Sequence, residues 1–154
     1  EGVAGQVPEA RVGRAHDGVG TRSREAQAFY DQGLAYLHGY VWIEAARSFN
    51  QALRLDPDLA IAHVGLSLAY AELNKPDASR AALEQARRRA GSAPEHDRRH
   101  IALREAQVAA ERAPTDRSAL VAYRQALDAA LKAFPDDAEL WLQRGTAESI
   151  DPFE

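Results

Sequence analysis

Apolar and polar residues alternate along most of this chain with the spacing of an amphipathic helix. In "FYDQGLAYLHGYVWIEAARSFNQALRLDPD", residues 29–58, bulky apolar side chains recur three and four apart, first as far as His38 and again from Ile43 to Leu55. A short link, "GYVW", separates the two runs, and "DPD" stops the second, because proline at 57 cannot continue a helix. Gly33, Ala45 and Ala52 stand among the bulky residues. A glycine well inside a helix costs about 1 kcal/mol relative to alanine, so close approach of a second helix is expected to compensate. The same pattern predicts helices over Ala26–Gly39, Ile43–Leu55, Ala60–Leu73, Asp77–Ala90, Pro94–Arg112, Asp116–Ala133 and Ala138–Ser149. Asp77, Asp116 and Asp137 are suited to cap their N-termini. The expected fold class is all-α, with about seven helices.

The pattern also repeats. Tyr36 and Tyr70 are 34 residues apart, as are Gly33 and Ser67, Phe49 and Leu83, and Ala52 and Ala86, and each pair keeps its size class or nearly so. This 34-residue helix–turn–helix unit resembles the tetratricopeptide repeat. The first copy supplies the family's small residue as Gly33, its tyrosine as Tyr36, its alanines as Ala45 and Ala52, its aromatic as Phe49, its leucine as Leu53 and its proline as Pro57. Phe29 stands where tryptophan is usual, and Gln32 departs from the usual leucine. In the second copy Leu66, Ser67, Tyr70, Leu83 and Ala86 fit, while Ser79 replaces an alanine and Gly91 the proline. A third copy ends in "ALKAFPDD", ten residues later than two strict periods would put it, since Pro135 follows Pro57 by 78 residues. The surplus is expected between Gly91 and Thr115. "DDAELWLQRGTAES" resembles the opening helix of a fourth copy, with Trp141 and Gly145 in the family's tryptophan and glycine places.

The resemblance implies an α-solenoid of antiparallel helix pairs. It divides the chain into an extended leader, 1–25, and a repeat domain, 26–154, with units near 26–59, 60–93, 94–137 and an incomplete 138–154. The segment "VGRAHDGVGTRSREAQAFYDQGLAYLHGY" is also similar to the start of a group of bacterial tetratricopeptide proteins, many of them exported, whose biochemical role is mostly undefined. An exported location is therefore favoured over the cytoplasm. The chain lacks methionine and opens in mid-flow, so a processed N-terminus is expected, and its last helix, lacking a natural cover, implies that the natural protein continues.

Composition narrows the function classes. Net charge is −4 with both signs interspersed, which marks out neither nucleic acid nor an anionic membrane as a partner. No run approaches the ~18 apolar residues of a membrane span. Absence of cysteine excludes disulfides, thiolate metal sites and cysteine nucleophiles. The basic cluster Arg87, Arg88, Arg89, Arg98, Arg99 and Arg104 is interleaved with Glu84, Glu95, Asp97 and Glu105, and no aromatic residue lies between Arg87 and Arg112 to stack a base. A solvated, salt-bridged face is the expected reading, with an acidic protein partner as the alternative.

Histidines supply the best case for chemistry. His96 and His100 would share a helix face, and Asp97 or a neighbouring carboxylate could complete a metal shell. Against this, the pair lacks the HExxH arrangement and has no third ligand identifiable by spacing, so a solvated helix start is expected instead. His63 is expected to pack between helices, while His16 is not assigned. No Ser/His/Asp spacing, phosphate loop or carboxylate pair stands out, so neither catalysis nor a cofactor or metal is expected; the alternative is a metal-binding or enzymatic protein that uses His96 and His100, with the repeats as an accessory domain.

The expected function is a non-catalytic scaffold that binds a peptide or protein segment. In tetratricopeptide arrays the first helix of each unit lines a concave groove; here the resemblance assigns Gln27, Tyr30, Leu34, Leu37 and His38, then Ile61, Val64, Leu68, Ala71 and Glu72. Tyr30, Leu34, Val64 and Leu68 occupy places where relatives that grip a C-terminal carboxylate carry polar and basic residues, so no such clamp is expected. A mostly apolar lining implies an apolar anchor from the partner, or self-association. The competing reading is that the leader or later repeats cover it.

Overall fold

The computed structural model describes residues 16–150. Residues 1–15 of the leader and 151–154 of the last unit lie outside the described residues. Seven α-helices follow in order: α1 Arg24–His38, α2 Trp42–Leu55, α3 Ala60–Glu72, α4 Pro76–Arg89, α5 Glu95–Arg112, α6 Arg117–Ala133 and α7 Ala138–Thr146. The described residues contain no strand. Each expected helix is present, most bounds differing by one or two residues. Only α7 is clearly shorter, because its last turn tightens into a 3₁₀ segment at Ala147–Ile150.

Local chemistry sets the starts. Ser23 accepts from the Ala26 amide at α1, Asp116 from Ser118 at α6, and Asp137 from Glu139 and Leu140 at α7. Asp77 does not cap: α4 begins one residue earlier at Pro76, whose missing N–H suits the first turn, and Asp77 pairs with Arg80 instead.

The 34-residue period reappears in the backbone. At the end of α1, Gly39, Tyr40 and Val41 donate to the carbonyls of Ala35, Leu37 and Tyr36; at the end of α3, Leu73, Asn74 and Lys75 donate to Ala69, Ala71 and Tyr70. Tyr40 and Asn74 both hold positive φ, 60° and 55°, to turn the chain into the next helix.

Consecutive helices pack on one another from α1 to α4 and from α5 to α7, and α5 joins the two halves by resting on α3. The first core gathers Tyr30, Leu34, Phe49, Leu59, Ile61 and Leu66, with Ala93 and Ile101 reaching in from the α5 end. A second core lies around Tyr123, Leu127 and Leu140. Phe49 is wholly buried, and both Gly33 and Gly65 meet its ring. Burial of such a side chain stabilises the fold by about 1.5–3 kcal/mol.

The polar departure at Ser79 finds its partners inside the core. Ser79 donates to the Ser67 carbonyl at 2.7 Å, and the Ser67 hydroxyl accepts from Arg104 Nε at 3.1 Å. All three residues are buried, so a seryl pair in place of small apolar residues gives α5 a polar seat on α3.

Candidate functional site

The positions assigned to a concave groove differ in exposure. Tyr30, Leu34, Ile61 and Val64 are buried, and Leu37 and Leu68 half-buried. Gln27 faces the chain itself: its side chain accepts from the Val19 amide at 3.1 Å and donates to the Asp17 carbonyl at 2.6 Å. Asp31 completes this seat by accepting from the Asp17 amide and pairing with His16. Residues 16–22 thus run as a strap held on α1, and Val19 joins the first core. His38 reaches α7, where Glu139 lies 3.0 Å away and raises its pKa through a hydrogen bond. Glu72 and Ala71 remain exposed.

His63 is half-buried, with its Nε2 enclosed and unpaired. Burial foremost, then the nearby Arg89 charge, lowers its pKa to about 4.

The strap, the start of α5 and the start of α7 converge on one cluster. Helical spacing brings the His96 and His100 rings to 4.7 Å between centroids. Asp137 uses Oδ1 to cap α7, so its Oδ2 faces the histidines, 3.0 Å from His96 Nε2 and 2.7 Å from His100 Nε2. From the strap, Asp17 places Oδ1 3.1 Å from the same His96 nitrogen. Its Oδ2 is buried without a hydrogen-bond partner. Behind His96, the buried Asp97 puts Oδ1 2.9 Å from Nδ1, and its Oδ2 accepts the Gly20 amide at 3.0 Å.

The expectation of a solvated helix start is therefore overturned: the His96 side chain is 16% exposed and that of His100 4%. The reason is tertiary, since the strap and α7 roof the first turn of α5. Burial works against a charge on His96, yet hydrogen bonds to Asp137, Asp17 and Asp97 prevail and push its pKa up to about 11. Burial likewise works against the Asp137 carboxylate, but His100 and His96 hold it well below the usual carboxylate range. Beneath the cluster, Tyr30 is raised well above 10, by burial first and then by the charges of Asp17, Glu139, Asp97 and Asp137. In the sequence, His96, His100 and Asp97 stand together by helical spacing, while Asp137 carries only a capping signal. Asp17 carried no signal, because nothing in local spacing ties a leader residue to a helix 79 residues later.

The basic flank is internally engaged. Arg87 pairs with Glu84 and Glu105, Arg88 with Glu84, Arg99 with Glu95, and Arg89 donates to the Pro57 carbonyl. Beside it, between α4 and α5, opens a cleft of about 870 Å³ over α3. Leu83, Val108 and Ala109 give it apolar walls, Arg104 lies in its floor and Arg112 at its margin.

No helix of the described residues is long and apolar enough to cross a membrane. No protein-family model, curated protein or solved structure matches the chain.

Proposed function

We propose that this chain is a non-catalytic binding scaffold of the tetratricopeptide type, and that it takes an extended segment of another protein into the cleft between α4 and α5. The observation that carries this reading is the cleft itself. It remains open and measures about 870 Å³, whereas Tyr30, Leu34, Ile61 and Val64 of the positions assigned to the concave groove are buried. Its lining combines apolar walls with four arginines against three glutamates, Glu84, Glu105 and Glu111, and the small positive excess suits a segment carrying small apolar side chains and one carboxylate. Arg112 supplies an exposed cation for that carboxylate.

Selection of displayed random peptides on the full chain tests the reading. Enriched sequences are expected to pair apolar residues with Asp or Glu. Ala109→Arg, at an exposed position in the cleft wall, should weaken their binding at least tenfold, while Tyr40→Ser, outside the cleft lining, should leave it unchanged. Failure to enrich any peptide, or enriched peptides indifferent to Ala109→Arg and Arg112→Glu, would overturn the proposal.

A further inference from the structure

We propose that Asp17, His96, His100 and Asp137 form a binding site for one divalent transition-metal ion of zinc-like preference. The site would be a closed structural centre that fastens the N-terminal strap to α5 and α7. It stands independently of the cleft and of any partner bound there.

One donor atom from each of the four residues lies within 4.8 Å of all the others, and the closest recorded approaches are 2.7–3.1 Å. A tetrahedral ion with bonds of about 2.0–2.1 Å sets its donors roughly 3.3–3.4 Å apart, slightly wider than those closest approaches and well inside the 4.8 Å limit. Small side-chain movements would admit the ion.

The orientation of His96 also favours an ion. Asp97 sits at Nδ1, and a carboxylate there accepts a hydrogen bond from Nδ1–H, which leaves the Nε2 lone pair facing outward. That lone pair would then face two carboxylate oxygens, from Asp17 and Asp137, at 3.1 and 3.0 Å. Lone pairs do not approach so closely without a cation among them. A proton on Nε2 can serve, yet it leaves Asp17 Oδ2 buried and unpaired, an outcome that burial penalises. Charge alone does not choose between protons and an ion. Three carboxylates, from Asp17, Asp97 and Asp137, meet at most two imidazolium charges, so at least one negative charge stays uncompensated by the histidines in this enclosed place. A dication bound by two neutral imidazoles supplies the same charge and also satisfies the donor atoms.

The donor set chooses the ion. Two imidazole nitrogens favour zinc, cobalt or nickel, whereas magnesium and calcium seek shells of oxygen. Four protein ligands leave no open position, the arrangement of structural rather than catalytic zinc.

The test uses the full chain without an affinity tag, stripped by chelator. Titration with Zn²⁺, followed by calorimetry, is expected to show one ion per chain, and Co²⁺ should give the visible spectrum of a four-coordinate site. Mg²⁺ and Ca²⁺ should not bind at comparable concentration. His100→Gln and Asp137→Asn should each weaken Zn²⁺ binding at least tenfold; asparagine at 137 retains helix capping. Asp17→Asn lies outside every helix, so it keeps the helices folded and should weaken binding to a similar degree. Zinc should also raise the melting temperature of the parent and protect the strap from protease, and lose both effects in Asp17→Asn. Absence of stoichiometric Zn²⁺ binding by the parent would overturn the proposal. So would full affinity in folded Asp17→Asn and Asp137→Asn, which would assign the ion to some other surface group.

Discussion

The backbone of Gly33 lies against the ring of Phe49 so closely that a β-carbon at 33 would stand 2.6 Å from Cε1. Gly65 approaches the same ring from α3, with its hypothetical β-carbon 2.5 Å from Cζ. Phe49 is fully enclosed between them and has nowhere to move. In an exposed helix Gly→Ala would stabilise by about 1 kcal/mol. Here the sign reverses: Gly33→Ala should destabilise, and Gly33→Leu should do so by about 1–3 kcal/mol or more through overpacking. Urea unfolding of both variants measures it, and a Gly33→Ala variant as stable as the parent would mean that α1 and α2 are not in such contact.

Tyr40 presents the opposite case, a side chain at a backbone position that disfavours it. Its φ is 60°, while 79% of its surface is exposed. Left-handed geometry costs an ordinary residue about 1–2 kcal/mol, but asparagine visits it readily, and Asn74 occupies the equivalent turn of the next hairpin. Tyr40→Asn should therefore stabilise the protein by about 0.5–1 kcal/mol, raising the melting temperature by roughly 2–4 °C per kcal/mol for a chain of this size. A lower melting temperature would show that the Tyr40 ring, which meets Trp42 edge-on, contributes more than the turn costs.

His63 sets an acid limit on stability. Its pKa of about 4 in the folded state lies below the ordinary value of 6.5, so between those pH values the unfolded chain binds a proton that the folded chain refuses. Stability associated with this group is complete above pH 6.5 and is lost as pH falls toward 4. His63→Leu should flatten that part of the profile when unfolding free energy is compared at pH 7 and pH 5. An identical decline in parent and variant would assign the acid sensitivity to other groups.

Helical order was legible in the sequence because it is local. Residues three and four apart share a face whatever the rest of the chain does, so the seven helices and the 34-residue period could be read directly, and Gly33 announced a close crossing before its partner was known. The partner itself was less plain: Gly65, which completes the seat for Phe49, falls outside the repeat pattern. Likewise the helix ending in Arg89 could be placed, yet its first residue was missed because Asp77 and Pro76 both carry starting signals and proline has the prior claim on the first turn.

The candidate sites depended on contacts that no local rule contains. Apolar residues such as Leu34 and Val64 have the same pattern whether they line an open groove or a closed core; only the placement of the strap and α5 decides between them. His96 and His100 share a helix face by sequence alone, but Asp137 joins them from 37 residues beyond His100, and Asp17 arrives from the leader. Sequence determined which faces are apolar and which residues can donate to a cation, because these are properties of side chains and helical period. Tertiary structure alone decided which apolar face is covered and which donors meet, because both follow from how distant segments pack.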